Sequence, residues 1–226
     1  MIPVLIYYLY RRYKRSHPTG SRPNPFTKRS VRIALLCVVF IMIAVFAFSQ
    51  DRKLEYQIKR KGDVVGTVMF TEASAGNKIM RRMQSEVKTR FVFLFTARAQ
   101  EESIYENGIM VWSSIYRKLN GSEKVNKKTQ ASGESYVVYR GDKTELLKNY
   151  PIRNNMLCLY TNEPVSYSKV YSDNFQQFLD IQKIGTDHYK IELPDGNYNE
   201  YFYSNGLCSR VEIHHTMYSA TIELKK

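Results

Sequence analysis

The groups in this chain that could carry chemistry are few. There are four histidines, three cysteines and a scatter of serines and carboxylates. His214-His215 with His188 invites a metal reading. Neighbours on an extended strand point to opposite faces, however, so the pair cannot chelate unless a bulge separates them. No cysteine or carboxylate falls at a ligand spacing readable along the chain, so no metal is expected. Ser113, Ser114 and Cys158 are conceivable nucleophiles, but no elbow or Cys-His motif surrounds them. Glu101-Glu102 also alternate faces and read as solvated rather than as an acid-base pair. Arg140-Gly141-Asp142 reads as a tight turn rather than an adhesion tripeptide, and a turn also accounts for Asn120-Gly121-Ser122. The expectation is a protein without catalytic residues and without a cofactor.

Two features point to binding or stability instead. Tyrosine is abundant, 18 of 226 residues. It suits strands simply because it fits a half-buried pleat. The functional alternative is a concave sheet lined by aromatic groups that holds an apolar ligand, with Phe91, Phe93, Phe95, Tyr198, Tyr201 and Tyr203 as its candidate lining, beside Phe202. Cys158 and Cys208 could pair in an oxidising compartment, or both could be buried thiols; geometry decides.

The elements that would position these groups are β-strands. Leu54, Tyr56 and Ile58 alternate with Glu55, Gln57 and Lys59, the period of a half-buried strand. Ile79, Met83, Val87 and Phe91 continue the pattern over a strand of about 13 residues, long enough to coil around a barrel. Residues 91–95 lack any polar member and read as a doubly buried strand or a bend tucked into the core. From Ala97 to Glu106 the chain runs polar. Asn107-Gly108, Asn120-Gly121 and Asn205-Gly206 are strong hairpin turns, and Asp195-Gly196 is nearly as good. Strands are expected at residues 109–119, 123–131, 136–140, 188–193, 197–204 and from 207 to the end. A phase break near residues 214–217 implies a bulge or a short turn. One helix is expected at residues 150–160, opened by Pro151, and residues 173–178 read as short helix or irregular chain. The fold class is therefore all-β and mainly antiparallel, a curved sheet or open β-barrel meander with one short helix.

A hydrophobic helix is expected ahead of that domain. Residues 33–48 are uniformly apolar, follow Lys28, Arg29 and Arg32, and precede Ser49-Gln50-Asp51. This is the order of an export signal. Sixteen residues of helix rise only about 24 Å, short of a hydrocarbon core of roughly 30 Å, which favours cleavage near Ala47 to Ser49 over a permanent anchor. Cys37 follows Leu36 rather than a small residue, so a lipoprotein signal is rejected. Residues 1–28 form a basic, irregular extension; a start at Val31 is the favoured alternative to a cytoplasmic segment. The domains are thus residues 1–28, 29–50 as signal or anchor, and 51–226 as the exported β domain. The basic residues precede the helix and place the remainder outside the cytoplasm, periplasmic or membrane-anchored.

The formal charge of +13 is concentrated at the front. Eight of 34 basic residues lie before Gln50 with no acidic one, which leaves 26 against 21 and a net of +5. That mild excess argues against nucleic acid.

Several segments resemble a known family. They are the hairpin at residues 59–68 with Val65-Gly66-Thr67, residues 114–121 (Ser-Ile-Tyr-Arg-Lys-Leu-Asn-Gly), and residues 169–175 (Lys-Val-Tyr-Ser-Asp-Asn-Phe). Leu193-Pro194-Asp195-Gly196-Asn197 and Tyr201-Phe202-Tyr203-Ser204-Asn205-Gly206 complete the set. Together they are similar to an exported Gram-negative envelope family catalogued as a domain of unknown function, across residues 54–224. More loosely, the pattern resembles open β-barrels that carry lipids or lipoproteins across the periplasm, an analogy of fold alone. The resemblance implies no catalytic residues. The expected function is a non-enzymatic envelope protein binding an apolar or amphiphilic ligand, or an envelope-protein partner. The membrane is a partner through residues 33–48 at least during export. The alternatives are a hydrolase of an envelope polymer and a structural module on one transmembrane helix.

Overall fold

The computed structural model describes residues 11–12, 51–90, 94–148 and 151–225. The expected signal at residues 33–48 and the extension's boundaries lie outside the described residues. Among the described residues no helix is long and apolar enough to cross a membrane.

Residues 51–225 form one sheet of fourteen strands, with antiparallel pairing between every pair of neighbours. In chain order they are β1 (Arg52–Arg60), β2 (Asp63–Ala75), β3 (Lys78–Arg90), β4 (Leu94–Glu106), β5 (Ile109–Leu119), β6 (Ser122–Ser132) and β7 (Ser135–Arg140). Then follow β8 (Lys143–Leu147), β9 (Lys169–Ser172), β10 (Gln177–Gly185), β11 (His188–Glu192), β12 (Tyr198–Ser204), β13 (Leu207–His215) and β14 (Tyr218–Leu224). Two meanders, β1–β8 and β9–β14, are sewn together by the pairing of β1 with β14, where Tyr56 faces Leu224 and Ile58 faces Ile222. The edges are β8 and β9.

The hairpin chemistry is as the sequence expects. Asn107-Gly108, Asn120-Gly121 and Asn205-Gly206 all have positive φ at both turn residues, which Asn and Gly adopt most cheaply. The phase break near residues 214–217 is a short turn, so the expected last strand is two strands, β13 and β14. Gly66 is needed for another reason. A Cβ there would lie 2.3 Å from the Glu86 carbonyl oxygen and 2.9 Å from Val87 Cα, so only glycine lets β2 approach β3 this closely.

The expected helix is shorter than the sequence pattern suggests. It is a 3-10 helix, Met156–Tyr160, and the residues before it are not helical. The barrel wall takes their backbone groups. Ile152 N donates to Tyr136 Oη (3.2 Å), Met110 N to Ile152 O (2.8 Å), Asn155 N to Tyr105 Oη (3.1 Å) and Tyr171 N to Asn154 O (2.9 Å). With those donors and acceptors committed sideways, no helical ladder forms before Met156, and the turn there closes with i→i−3 bonds such as Cys158 N to Asn155 O.

This segment fills the space between the meanders. Leu157, Leu159 and Tyr160 pack with Tyr56, Val68, Phe70, Tyr201, Tyr203 and Val211 in the larger apolar cluster. The Tyr160 ring stacks on Phe70 at 5.8 Å and meets Tyr56 edge-on at 5.4 Å. Each such aromatic pair adds roughly 0.5–1.5 kcal/mol beyond its buried area. Cys158 and Ile152 turn to a smaller cluster with Tyr105, Met110, Tyr136 and Tyr171. No ladder joins β8 to β9; side chains bridge the arms instead. The Gln176 amide donates to Lys128 O (3.0 Å) and Tyr139 O (3.3 Å), and its oxygen accepts from Arg140 Nε (2.7 Å). Tyr171 Oη meets Thr129 Oγ1 at 2.9 Å, and Lys127 Nζ bonds Asn174 O.

Candidate functional site

The described members of the candidate aromatic lining fall on both faces of the sheet. Period-2 alternation sends Tyr201 and Tyr203 inward, where both are buried in the larger cluster, and the Tyr203 hydroxyl donates to Leu159 O at 2.9 Å. Tyr198 is on the opposite face, stacked on His214 with ring centroids 4.3 Å apart. Phe95 is half-buried on β4. Phe91 and Phe93 lie outside the described residues. Of the two readings for the cysteines, buried thiols is the one the structure holds. Cys158 and Cys208 are unbridged and sit in different clusters. Burial pushes the Cys208 thiol up to about 12.

The interior is polar along β3–β6. Arg81, Glu101, Ser103, Ser113 and Thr129 are all buried there. Arg81 Nε bonds Glu72 Oε2 at 2.6 Å, and Arg117 reaches Glu101 Oε1 at 2.8 Å. Chain entering from the other meander completes the network. Tyr105 Oη donates to Asn155 Oδ1 (2.9 Å), the Cys158 thiol is 3.4 Å from both of these oxygens, and Asn155 Nδ2 donates to Asp173 Oδ2 (2.9 Å). Burial lifts the Asp173 carboxyl to about 7, and the Glu101 charge adds to the rise; Ser113 and Asn155 pull the other way. Asp173 Oδ1 and the hydroxyls of Ser103 and Ser113 make no hydrogen bond of full geometry. The cluster holds two carboxyls, Asp173 and Glu101, with a thiol and two serines, and all are buried.

Open concave space lies on the other face of β5–β7. A groove of about 380 Å³ is lined by Trp112, Asn126, Lys128, Gln130, Tyr139 and Gly141. Trp112 is cross-strand from Gln130, and Lys128 is cross-strand from Tyr139. These side chains alternate with the buried Ser113, Thr129 and Val138, so they face outward. The site gathers two aromatic walls, two amides and one ammonium. That set suits a ligand with an apolar flank and a polar or anionic head. Reading along the chain missed it, because each strand contributes only one or two members. The chain's only tryptophan was the available signal.

The histidines take separate partners. His215 stacks on Tyr218 (4.7 Å) and its Nδ1 accepts from Met217 N (3.1 Å), whereas His214 stacks on Tyr198. His188 bonds Glu200 Oε2 at 2.8 Å and stacks on Phe202. The expected two-sided arrangement of His214 and His215 holds. The carboxylates beside His214, Glu200 and Glu212, come from across and along the hairpin.

Residues 56–225 match the family described as a domain of unknown function (DUF6134), and the chain belongs to it. Its structure is similar to that of a β-barrel-like protein of domain of unknown function DUF1849 from Brucella abortus. The TM-score is 0.53 at 10% sequence identity, covering 79% of this chain and 96% of that one. This likeness bears on fold alone: an open, barrel-like antiparallel sheet. No curated protein matches.

Proposed function

We propose that this DUF6134 chain is a non-enzymatic, exported envelope protein that binds an amphiphilic ligand on the outer face of β5–β7. The observation that carries this reading is the division of space. The interior is filled by the chain's own residues 151–176, while the outer groove offers Trp112 and Tyr139 beside Lys128, Asn126 and Gln130. The aromatic walls cover the apolar part, and Lys128 with the amides meets an anionic head. Export rests on the apolar residues 33–48 behind their basic flank.

Trp112 is the only tryptophan, so intrinsic fluorescence reads this groove directly. The full chain in mild detergent is titrated with dihexanoyl phosphatidylglycerol below its micelle concentration. A saturable change in emission is expected, weakened in Lys128→Gln and Tyr139→Ala. A flat titration, or one unchanged by both substitutions, sinks the ligand reading. Export is tested separately by protease treatment of spheroplasts: cleavage within residues 54–224 without lysis supports it, and full protection refutes it.

A further inference from the structure

We propose that the outer face of β11–β13 is a divalent-cation site of the zinc class, with Glu200, Glu212 and His214 as protein ligands. It is independent of the groove reading and lies on the other meander. One ligand atom from each of the three residues lies within 4.8 Å of the others, the one such set among the described residues. A common metal at about 2.1 Å from each needs them about 3.4 Å apart. Rotation of two glutamate side chains covers that difference without moving the backbone.

A β-bulge creates the juxtaposition. A plain hairpin closed by Ser204 and Leu207 would set Glu200 opposite Val211. The register shifts between Phe202 and Tyr203, leaving Ser209 as the extra residue on β13, with its hydroxyl bonded to Phe202 O at 3.1 Å. Beyond the bulge Glu200 faces Glu212 directly, and His214 is two residues further on the same face. Two carboxylates facing each other across a ladder repel, which is unfavourable unless a cation sits between them.

His214 supplies the second observation. Its Nε2 is shielded from solvent and has no hydrogen-bond partner; the nearest carboxylate oxygen is Glu212 Oε2 at 3.7 Å. The imidazole is held by stacking on Tyr198 at 11° between planes. The surroundings also resemble an outer shell. His188 Nε2 sits 2.8 Å from Glu200 Oε2 and its ring is stacked on Phe202 at 4.0 Å, the kind of support that orients a ligating carboxylate.

Of the native cations nearby, Lys190 is drawn aside and Arg210 reaches one oxygen of Glu212. Lys190, opposite Glu200 in register, bonds Glu192 at 2.8 Å and lies 4.5 Å over the Tyr198 ring. Arg210 is 3.4 Å from Glu212 Oε1, with its guanidinium 3.9 Å over Phe202. The donor set decides the metal class. One imidazole nitrogen with two carboxylates suits zinc, whereas calcium and magnesium prefer oxygen throughout. Three protein ligands leave the fourth position to water.

The test uses the full chain carrying a histidine-free affinity tag, stripped with chelator and titrated with Zn²⁺ against a chromophoric competitor. One equivalent is expected to bind. His214→Ala and Glu212→Gln should each weaken binding at least tenfold, and His188→Phe by roughly 10–100-fold, as for outer-shell partners. His215→Ala should leave binding unchanged. Circular dichroism confirms that each variant is folded. Absence of saturable binding in the folded chain overturns the proposal. So does binding that survives His214→Ala or is lost in His215→Ala.

Discussion

Asp173 makes stability fall as pH rises. The folded carboxyl titrates near 7 from an ordinary value of 3.8. A folded pKa above the unfolded one means that the native state binds the proton more tightly. The stabilisation is therefore full below about pH 4 and is lost as pH climbs through 7. The shift corresponds to about 4 kcal/mol over the whole range, and about 2.6 kcal/mol of it falls between pH 5 and 8. For a domain of this size that is a Tm drop of roughly 5–10 °C. The structure gives the reason: Asp173 is sealed beside the charged Glu101, and one of its oxygens, Oδ1, has no hydrogen bond to hold an anion. Thermal unfolding of the full chain followed by circular dichroism at pH 5, 6, 7 and 8 measures it. Asp173→Asn keeps the shape of the neutral acid and removes the titration. Its Tm should lose most of this pH dependence, and at pH 8 it should match or exceed the wild type. Parallel curves for the two proteins, or a wild-type Tm that climbs from pH 5 to 8, would refute the reasoning.

Three further outcomes are expected. Gly66→Ala drives a Cβ into the β3 backbone at 2.3 Å, which costs about 2–3 kcal/mol and appears as a lowered Tm with unchanged strand content; an unaltered Tm would contradict the close approach. Tyr105→Phe removes the acceptor of Asn155 N–H and a donor to Asn155 Oδ1, at a cost of about 2–3 kcal/mol, whereas the exposed-face control Tyr116→Phe should change stability by under about 0.5 kcal/mol in the same melt. Cys208 is buried with its thiol raised to about 12, so iodoacetamide at pH 8 should leave it unmodified in the native chain and alkylate it in urea; rapid native labelling seen by peptide mass spectrometry would contradict that burial.

The legible parts of the fold are those where a single physical signal decides. Strands β1, β5 and β12 bury apolar residues on one face and β3 half-buries Ile79, Met83 and Val87, so alternation shows them. The Asn-Gly turns need positive φ, which few other pairs supply. Strand β4 hid for the opposite reason. Its inward residues include Glu101 and Ser103, so residues 97–106 read as a polar run although they pair with β3 residue for residue. The expected helix at residues 150–160 shrank because Tyr105 and Tyr136 hydroxyls claim backbone groups that a one-dimensional pattern assigns to a helix. Parity separates two members of the candidate aromatic lining: Tyr198 and Tyr201 are three apart, which places them on opposite faces of any regular strand. The groove and the Glu200–Glu212–His214 set were illegible because cross-strand register makes them. One inserted residue, Ser209, changes the partner of Glu200 from Val211 to Glu212.

The two sides of the sheet differ in what they turn inward, and that difference explains why one strap can hold them. The arm formed by β9–β14, with β1 and β2, presents Tyr56, Phe70, Ile191, Tyr201, Tyr203 and Val211. The β3–β6 arm sets Arg81, Glu101, Ser103, Ser113 and Thr129 among its apolar Tyr105, Met110 and Ile115. Direct packing of these faces would bury charges against hydrocarbon, at several kcal/mol for each unpaired group. Residues 151–176 carry both chemistries in one segment. Leu157, Leu159 and Tyr160 satisfy the apolar arm, while Asn155, Asp173 and Gln176 bond to the polar one. Edges β8 and β9 then need no shared ladder, because the strap supplies the bonds that closure would have made. Among the described residues the strap occupies the inward face, and the proposed groove and cation site both lie on outward faces. The Trp112 groove lies on one meander and the His214 cluster on the other. Loss of one site should therefore leave the other intact.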